Sequence, residues 1–144
     1  MIEEVESINN GNPITYFEIL TAIFFLGASR SKSDVTILES GLFHRADACS
    51  IIKSNLASVI TAIGLDHLDW LPKNKQTIDQ IIFEKTSSLL TSKIIVSKQS
   101  SNETLNKIAN SIEKNSSKKI IFGNDFNYSL NENGFFYYED KYGG

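Results

Sequence analysis

DVTILESGL, residues 34–42, is an apolar run that ends at small residues and presents the acidic side chain of Glu39. A second run of this kind, SVITAIGLDH at residues 58–67, ends in Asp66 and His67. If both runs are parallel strands, their carboxyl ends lie at one edge of a sheet, where ligands bind in open α/β folds. A carboxylate and an imidazole at two such ends predict a metal–phosphate site.

The flanking segments alternate between helix and strand patterns. Thr15 and Glu18 form a T-x-x-E capping box, which predicts a helix that runs to about Gly27. That helix is apolar on nearly all sides, so we expect it to be buried. Thr77 predicts another helix start, with Gln80 as its capping-box partner. Further helices are predicted at 46–53 and 103–113, and strands at 35–38, 57–63, 93–97 and 118–123.

This order of elements predicts an α/β fold with a mostly parallel sheet flanked by helices. The strand at 57–63 is rich in β-branched residues without alternation, a pattern that suits a strand buried on both faces. Two further strands, at 126–130 and 135–138, flank Asn-Glu-Asn-Gly at 131–134, which predicts a C-terminal β-hairpin.

The length of 144 residues favours one domain. We expect a polar lead-in at 1–14, which contains the loop-like Asn-Asn-Gly-Asn cluster at 9–12, an α/β portion at 15–123, and a hairpin and tail at 124–144.

Composition excludes several classes of protein. The hydrophobic content of 41% is enough for a core, and the net charge of −3 without a basic stripe argues against a nucleic-acid partner. The longest apolar run, 22–28, is far shorter than the roughly 20 residues of a membrane span. The start of the chain has no basic segment typical of a signal peptide, and the single Cys49 fits a reducing cytoplasm.

Four motifs in order carry a family resemblance. DVTILESGLFHRADACS at 34–50 is similar to the DVAVLEVGLGGRLDATN signature of folylpolyglutamate synthase/dihydrofolate synthase, a branch of the Mur ligase superfamily. The TYFE helix start at 15–18, IGLDH at 63–67 and the Glu84-Lys85 pair resemble further signatures of that family. A weaker match, Gly-Asn-Asp-Phe at 123–126, resembles the end of the family's ATPase domain.

The resemblance implies part of a Mur-ligase central domain and an ATP-dependent amide ligase. In such an enzyme ATP phosphorylates a folate or dihydropteroate carboxylate, and glutamate attacks the acyl phosphate. The cofactors implied are Mg²⁺ and ATP, and the partners implied are folate or dihydropteroate and glutamate.

The resemblance also implies site residues. Glu39 and His67 match metal ligands, although imidazole is a poor match to Mg²⁺ in hardness. Lys85 matches a catalytic lysine that is often carbamylated, and a carbamate would supply oxygen ligands to a second Mg²⁺. Asp66 is expected to orient the loop or to contact the ribose of the nucleotide.

The matches on the substrate side are Phe17, Arg45, Asp47 and Ala48, which resemble the pterin pocket of the bifunctional enzymes. Phe17 offers a ring for stacking, and Asp47 can accept hydrogen bonds from a pterin. A plain core role for Phe17 is the alternative.

The sequence departs from the family at chemically important points. Phe43 and His44 replace paired glycines, Ser50 replaces an asparagine, and Thr86-Ser87 replace the Ala-Gly that follows the lysine. Because glycine permits a positive φ that larger residues adopt at a cost, we expect the loop at 41–45 to have moved. The family's phosphate loop, G-x-x-G-K-[GS]-S, has no counterpart in the chain, and ATP binding becomes doubtful.

We therefore expect a truncated ligase with no activity of its own. Three alternatives stay open. The chain could be half of a split enzyme whose complementing fragment carries the phosphate loop. It could be a non-enzymatic, vestigial or partner-binding α/β domain, with the helix at 15–27 as the sticky surface. It could instead be another Mur-type ligase, although the TYFE helix favours the folate branch.

Overall fold

The chain begins with two helices, α1 (Ile2–Asn9) and α2 (Tyr16–Arg30), in the computed structural model, which describes residues 1–142. Helix α1 was not expected within the polar lead-in, and its end at Asn10 turns through Gly11 at φ 73°. The capping box of α2 is confirmed, since Thr15 Oγ1 accepts a hydrogen bond from the Glu18 amide and Glu18 Oε2 accepts one from the Thr15 amide. Helix α2 runs about one turn further than predicted.

The prediction that α2 is buried is wrong. Of its residues, all of which the structure describes, only Thr21 is buried. Several of its large apolar side chains face solvent instead: Tyr16, Phe17, Leu20 and Phe24. The apolar side chains of α2 are therefore not part of the core.

A three-stranded parallel sheet forms the centre of the molecule, in the order β1 (Ser58–Ile60), β2 (Lys93–Val96), β3 (Lys118–Ile121). Helix α3 (Ile78–Thr86) connects β1 to β2, and α4 (Asn102–Ser111) connects β2 to β3. The predicted fold class is confirmed, because parallel strands joined by helices make an α/β sheet. All these elements lie where the sequence predicted them, with ends within a few residues.

Two strand predictions are wrong in detail. Residues 35–38 form no strand, because no strand among the residues described lies beside them to complete a ladder of hydrogen bonds. Val35 and Ile37 are accordingly 66% and 87% exposed. Strand β1 is shorter than predicted and is an edge strand, so Ile60 is buried while Val59 faces solvent.

The core lies between the sheet and helices α3 and α4. Its fully buried side chains are Ile81, Ile94, Val96, Ile108 and Ile112. Thr77 caps α3 as predicted, through its hydroxyl and the Gln80 amide N–H at 3.2 Å. The Gln80 side chain does not complete the predicted capping box, because it donates to Glu84 instead.

The predicted hairpin is confirmed as β4 (Phe126–Leu130) paired antiparallel with β5 (Phe136–Asp140). Gly134 at φ 78° and the Asn131 carboxamide, which accepts from two backbone N–H groups, close the turn. Within residues 1–142, no helix has the length and apolar character that would let it cross a lipid bilayer. The last two residues of the predicted tail, 143–144, lie outside the described residues.

Candidate functional site

The loop between Gly41 and Cys49 is closed on itself by one carboxylate. Asp47 Oδ2 accepts hydrogen bonds from the backbone N–H groups of Gly41 at 3.1 Å and Leu42 at 2.9 Å. Asp47 Oδ1 accepts a third from the Cys49 N–H at 2.8 Å and so caps the short 3₁₀ helix Ala48–Ile51. This helix is the observed form of the one predicted at 46–53, and Ala48 is its first residue. The buried Asp47 therefore acts first on its own backbone.

Burial acts to raise the pKa of Asp47, but the hydrogen bonds from Leu42, Cys49 and Gly41 outweigh it and hold the pKa below its ordinary value. The same carboxylate and burial act on the neighbouring thiol. Burial, with Asp47 beside it, raises the pKa of Cys49 to about 11. The thiol therefore stays protonated at neutral pH and is not a nucleophile.

A second acid anchors the loop to helix α3. Glu84, whose side chain is 10% exposed, forms a bidentate ion pair with Arg45, with Oε2 to Nε at 2.7 Å and Oε1 to Nη2 at 3.2 Å. The backbone carbonyl of Glu84 also accepts hydrogen bonds from the amides of His44 and Arg45. The side-chain amide of Gln80 donates a hydrogen bond to Oε1 of Glu84 at 2.9 Å.

The electrostatics of this anchor favour the charged forms. The hydrogen bond from Arg45 lowers the pKa of Glu84, and the Gln80 amide adds to this effect against burial. The guanidinium also lies over the ring of Phe83, 5.7 Å from its centroid. Arg45, predicted to bind substrate, is therefore engaged by the protein on two sides.

Phe43 stands at the position where the family resemblance implies glycine, and it keeps a glycine-like backbone with φ 57°. The left-handed conformation costs a non-glycine residue about 1 kcal/mol or more. The ring packs against the core cluster beneath it. Packing of the ring offsets this cost, so Phe43 adopts the positive φ that glycine adopts freely, and the movement of the loop at 41–45 stays a prediction.

The Phe43 ring contacts two predicted site residues. It meets the His67 imidazole edge to face, with centroids 5.9 Å apart and planes at 84°. The ammonium of Lys85 lies over the same ring, 5.9 Å from its centroid. His67 and Lys85, from separate segments, thus come together around one aromatic side chain.

His67 has a left-handed backbone, φ 56°, and Asp66 lies against it on two atoms. Asp66 Oδ1 accepts from the His67 amide at 2.7 Å, and its other oxygen lies 3.4 Å from Nε2 of the imidazole. Asp66 therefore orients the loop at this point, one of the two roles predicted for it.

His44, which follows Phe43 in the chain, has its side chain directed into the protein. Its Nδ1 lies 3.1 Å from the Ser40 hydroxyl, and burial lowers the pKa of His44 against the opposing charge of Asp47. A neutral imidazole is the expected form at neutral pH.

Phe17 lies against the start of the loop. A Cβ added to Gly41 would come within 2.4 Å of Phe17 Cζ, so the ring rests on bare glycine backbone. The ring is still partly open to solvent. Phe17 and Asp47, two of the predicted substrate residues, thus approach the loop at Gly41, one through a ring contact and the other through a hydrogen bond.

Glu39 is not at a strand end, because residues 35–38 form no strand, and its side chain is exposed. Its backbone carbonyl lies 3.6 Å from the Cys49 sulfur, which ties it to the loop. Across residues 1–142, no three His, Cys, Asp or Glu side chains are grouped so that they could hold a metal ion. The roles of Glu39 and His67 as metal ligands and of Lys85 as the catalytic lysine stay predictions, because Mg²⁺ is often held by one or two side chains together with substrate phosphates.

Sequence reasoning missed two anchoring residues. Glu84 entered the prediction only as part of a family motif with Lys85, yet this acid lies one helical turn after the apolar Ile81, where a buried carboxylate needs a charged partner. Gln99 is buried beyond the carboxyl end of β2, where it accepts from the Ile63 amide and donates to the carbonyls of Thr61 and Ser97. No sequence pattern marked this residue.

A cleft of 440 Å³ lies at the amino ends of the three parallel strands, opposite the carboxyl ends at which the site was predicted. It is formed by the segments that precede the three strands, at 53–54, 89–92 and 115–117. None of the predicted site residues lines it, so it does not belong to the site described above.

Comparison with known proteins gives sequence matches over about half of the chain. The chain is 40% identical over 75 residues to dihydrofolate synthase/folylpolyglutamate synthase of Escherichia coli, a match that covers 52% of this chain and 18% of the relative. No protein-family model matches the chain.

Solved structures match nearly the whole chain. Escherichia coli FolC in complex with DHPP and ADP superposes with a TM-score of 0.76 and 30% identity, over 99% of this chain and 33% of that one. A bifunctional folylpolyglutamate synthase/dihydrofolate synthase from Yersinia pestis, complexed with AMPPNP and Mn ion, gives a TM-score of 0.79 and 25% identity, over 98% of this chain and 32% of that one. The chain thus spans about a third of these structures. The resemblance that the sequence motifs carry is confirmed.

Proposed function

We propose that the chain supplies part of an ATP-dependent amide ligase of the folylpolyglutamate/dihydrofolate synthase type. In this reaction ATP transfers its terminal phosphoryl group to a carboxylate of dihydropteroate or folate. The amino group of glutamate then attacks the acyl phosphate, an amide bond forms and phosphate leaves. Holding the carboxylate and the attacking amine in place is the work expected of the protein.

The observation that supports this proposal is the loop at 41–49. It carries the longest motif match, and Asp47 and Glu84 hold it in a defined conformation against α3. In the proposal, Phe17, Arg45, Asp47 and Ala48 lie on the substrate side. Glu39 and His67 correspond to metal positions, Lys85 to the catalytic lysine and Asp66 to the nucleotide side.

We further propose that the 144-residue polypeptide does not carry out ligation by itself. No G-x-x-G-K-[GS]-S loop occurs in its sequence, and such a loop supplies the backbone N–H groups and the lysine that hold nucleotide phosphates.

Incubation with ATP, Mg²⁺, glutamate and dihydropteroate tests this proposal, with amide formation followed by mass spectrometry. We expect no product from the polypeptide alone. A second incubation adds a separately expressed polypeptide that carries a phosphate loop from a folate-type ligase, and product in that mixture supports the split arrangement. Product from the polypeptide alone would overturn the proposed inactivity.

A non-enzymatic, partner-binding domain is the second candidate. The observation that favours it is the apolar surface of the N-terminal region, where Val35, Ile37 and the solvent face of α2 are exposed. Uncovered apolar side chains of this kind are typical of association surfaces. The proposed occupant is the complementing ligase fragment.

Calorimetric titration separates the two candidates. Heat on addition of dihydropteroate would favour a retained substrate side, whereas heat with neither dihydropteroate nor Mg-ATP would favour the partner-binding domain. A single monomer peak in size-exclusion chromatography over a wide concentration range would count against the exposed apolar surface as an association surface.

A further inference from the structure

The side-chain amide of Gln99 joins the segments that follow strands β1 and β2. Its Nε2 donates hydrogen bonds to the carbonyls of Thr61 at 3.1 Å and Ser97 at 2.9 Å. Its Oε1 accepts one from the Ile63 amide at 2.9 Å. Gln99 is only 8% exposed, so water competes little for these groups. The carboxamide therefore connects the two segments beyond the point where strand pairing ends.

A second glutamine holds the chain on the other side of the segment 64–67. Gln76 is part-buried, and its Nε2 donates to the carbonyls of Leu68 at 2.9 Å and Leu71 at 3.3 Å. Both carbonyls belong to the 3₁₀ turn that starts directly after the segment and to the residue that ends it. Leu71 is buried, and Leu68 packs against the core. The segment is thus fixed just before it begins and just after it ends.

His67 lies between these two fixed points in a conformation that a side chain disfavours. Its backbone is left-handed at φ 56°, and such a conformation persists where the surroundings determine it. Its side chain is 37% exposed, so burial alone does not hold the imidazole in place. The imidazole nevertheless meets the Phe43 ring edge to face, with centroids 5.9 Å apart. The backbone on either side of His67 must therefore set this contact.

We propose that Gln99 and Gln76 are positioning residues that preset His67 against the ring of Phe43. Their contacts are with backbone groups on the two sides of His67, and both residues lie outside the motifs that carry the family resemblance. The inference deepens the proposed function, on which the role of His67 rests. Its test involves neither ligation nor a metal, so failure here leaves the proposal of a ligase-type domain intact.

The test replaces each glutamine by methionine, which keeps the length of the side chain and removes its hydrogen bonds. The measurement is the nuclear Overhauser cross-peak between the ring protons of Phe43 and His67, recorded by NMR on the full polypeptide. We expect this cross-peak in the wild type, because the two rings are in contact. It should weaken in Gln99→Met and in Gln76→Met and disappear in the double variant Q76M/Q99M.

The chain offers a matched control at the other end of the sheet. Asn115 also bridges two segments, since its Nδ2 donates to the Leu89 carbonyl at 3.1 Å and its Oδ1 accepts from the Ser117 amide at 2.9 Å. Asn115→Leu removes a bridging carboxamide in the same way and should lower stability. The cross-peak between Phe43 and His67 should remain in this variant, because its contacts lie at the amino ends of the strands.

Three results would overturn the proposal. The first is a wild-type protein without the cross-peak. The second is a Q76M/Q99M protein that is folded by circular dichroism and keeps the cross-peak at full intensity. The third is an equal loss in Asn115→Leu, which would assign the effect to general destabilisation. If the double variant does not fold, Gln76→Met, at the less buried position, carries the same outcomes by itself.

Discussion

Different interactions stabilise the α/β region at 58–121 and the N-terminal region at 1–57. In the α/β region, isoleucines and valines from three strands and two helices meet in one core, and five of these side chains are fully buried. In the N-terminal region, apolar side chains are mostly exposed and the buried groups include Asp47 and Thr21. Polar contacts, together with the packing of Phe43 against the core cluster, position the loop at 41–49.

This difference shows that an apolar segment becomes buried only where another surface of the protein packs against it. Both regions contain runs of Ile, Val and Leu, but only one of them finds a partner surface within the described residues. The candidate site lies at the junction. Glu84 belongs to the packed region, whereas its partner Arg45 belongs to the polar loop.

The largest expected effect tests the packed region. Ile94 is fully buried in β2, so Ile94→Ala leaves a cavity and should lower the free energy of unfolding by about 2–5 kcal/mol. Ile37 is the matched control. Because its side chain is exposed, Ile37→Ala should change the free energy of unfolding by less than about 0.5 kcal/mol. Denaturant titration measures both. Equal losses would mean that residues 35–38 are packed in solution.

The next effect tests the anchor between the regions. Glu84→Gln removes the charge of the buried partner from a bidentate pair whose Arg45 is half exposed, and should cost about 1–3 kcal/mol of unfolding free energy. The control is Glu4→Gln, which breaks the exposed pair with Arg30 and should cost less. A double-mutant cycle with Arg45→Gln isolates the coupling, and a coupling near zero would contradict the anchor.

A smaller effect concerns the carboxylate inside the loop. Asp47→Asn weakens the cap of the 3₁₀ helix at 48–51 and should cost about 1 kcal/mol. Because the pKa of Asp47 is lowered in the folded protein, its contribution is present above the ordinary carboxyl range and is lost as the pH falls through the folded pKa. The wild type should therefore lose more stability in acid than Asp47→Asn. Parallel acid unfolding curves for the two proteins would refute this role.

The smallest effect concerns the contact between α2 and the loop. In Gly41→Ala the new Cβ meets Phe17 Cζ, and the ring must move. Since the ring is partly exposed, it can shift at a cost of about 1 kcal/mol or less. The cost should vanish when Gly41→Ala is made in a Phe17→Ala background. A cost that persists there would place the strain in the backbone instead.

Much of the fold could be predicted from local patterns. Thr15 with Glu18, Thr77, and the Asn-Gly turn of the hairpin each act within a few residues of sequence, so their structures followed from the sequence. The order of the parallel strands is consistent with the alternation of helices and strands. The motifs at 34–50 and 63–67 carried the family resemblance by residue identity alone.

The site could be predicted only in part. The sequence marked Phe17, Arg45, Asp47, His67 and Lys85, and the structure brings these near one loop. It did not reveal that Arg45 pairs with Glu84, because the two are 39 residues apart and no local pattern links them. Nor did it show that Phe43 keeps a glycine-like φ, since the packing that offsets the strain comes from the distant core.

By itself the sequence determined helices α2, α3 and α4, the strands of the α/β region and the hairpin, because caps, turns and apolar periodicity are short-range properties. Only the tertiary structure decided whether an apolar run becomes a strand or stays exposed. A strand needs a neighbour for its backbone hydrogen bonds, and residues 35–38 have none among those described, whereas 58–60 pair with β2. The same long-range packing decided that His67 and Lys85 both contact the ring of Phe43.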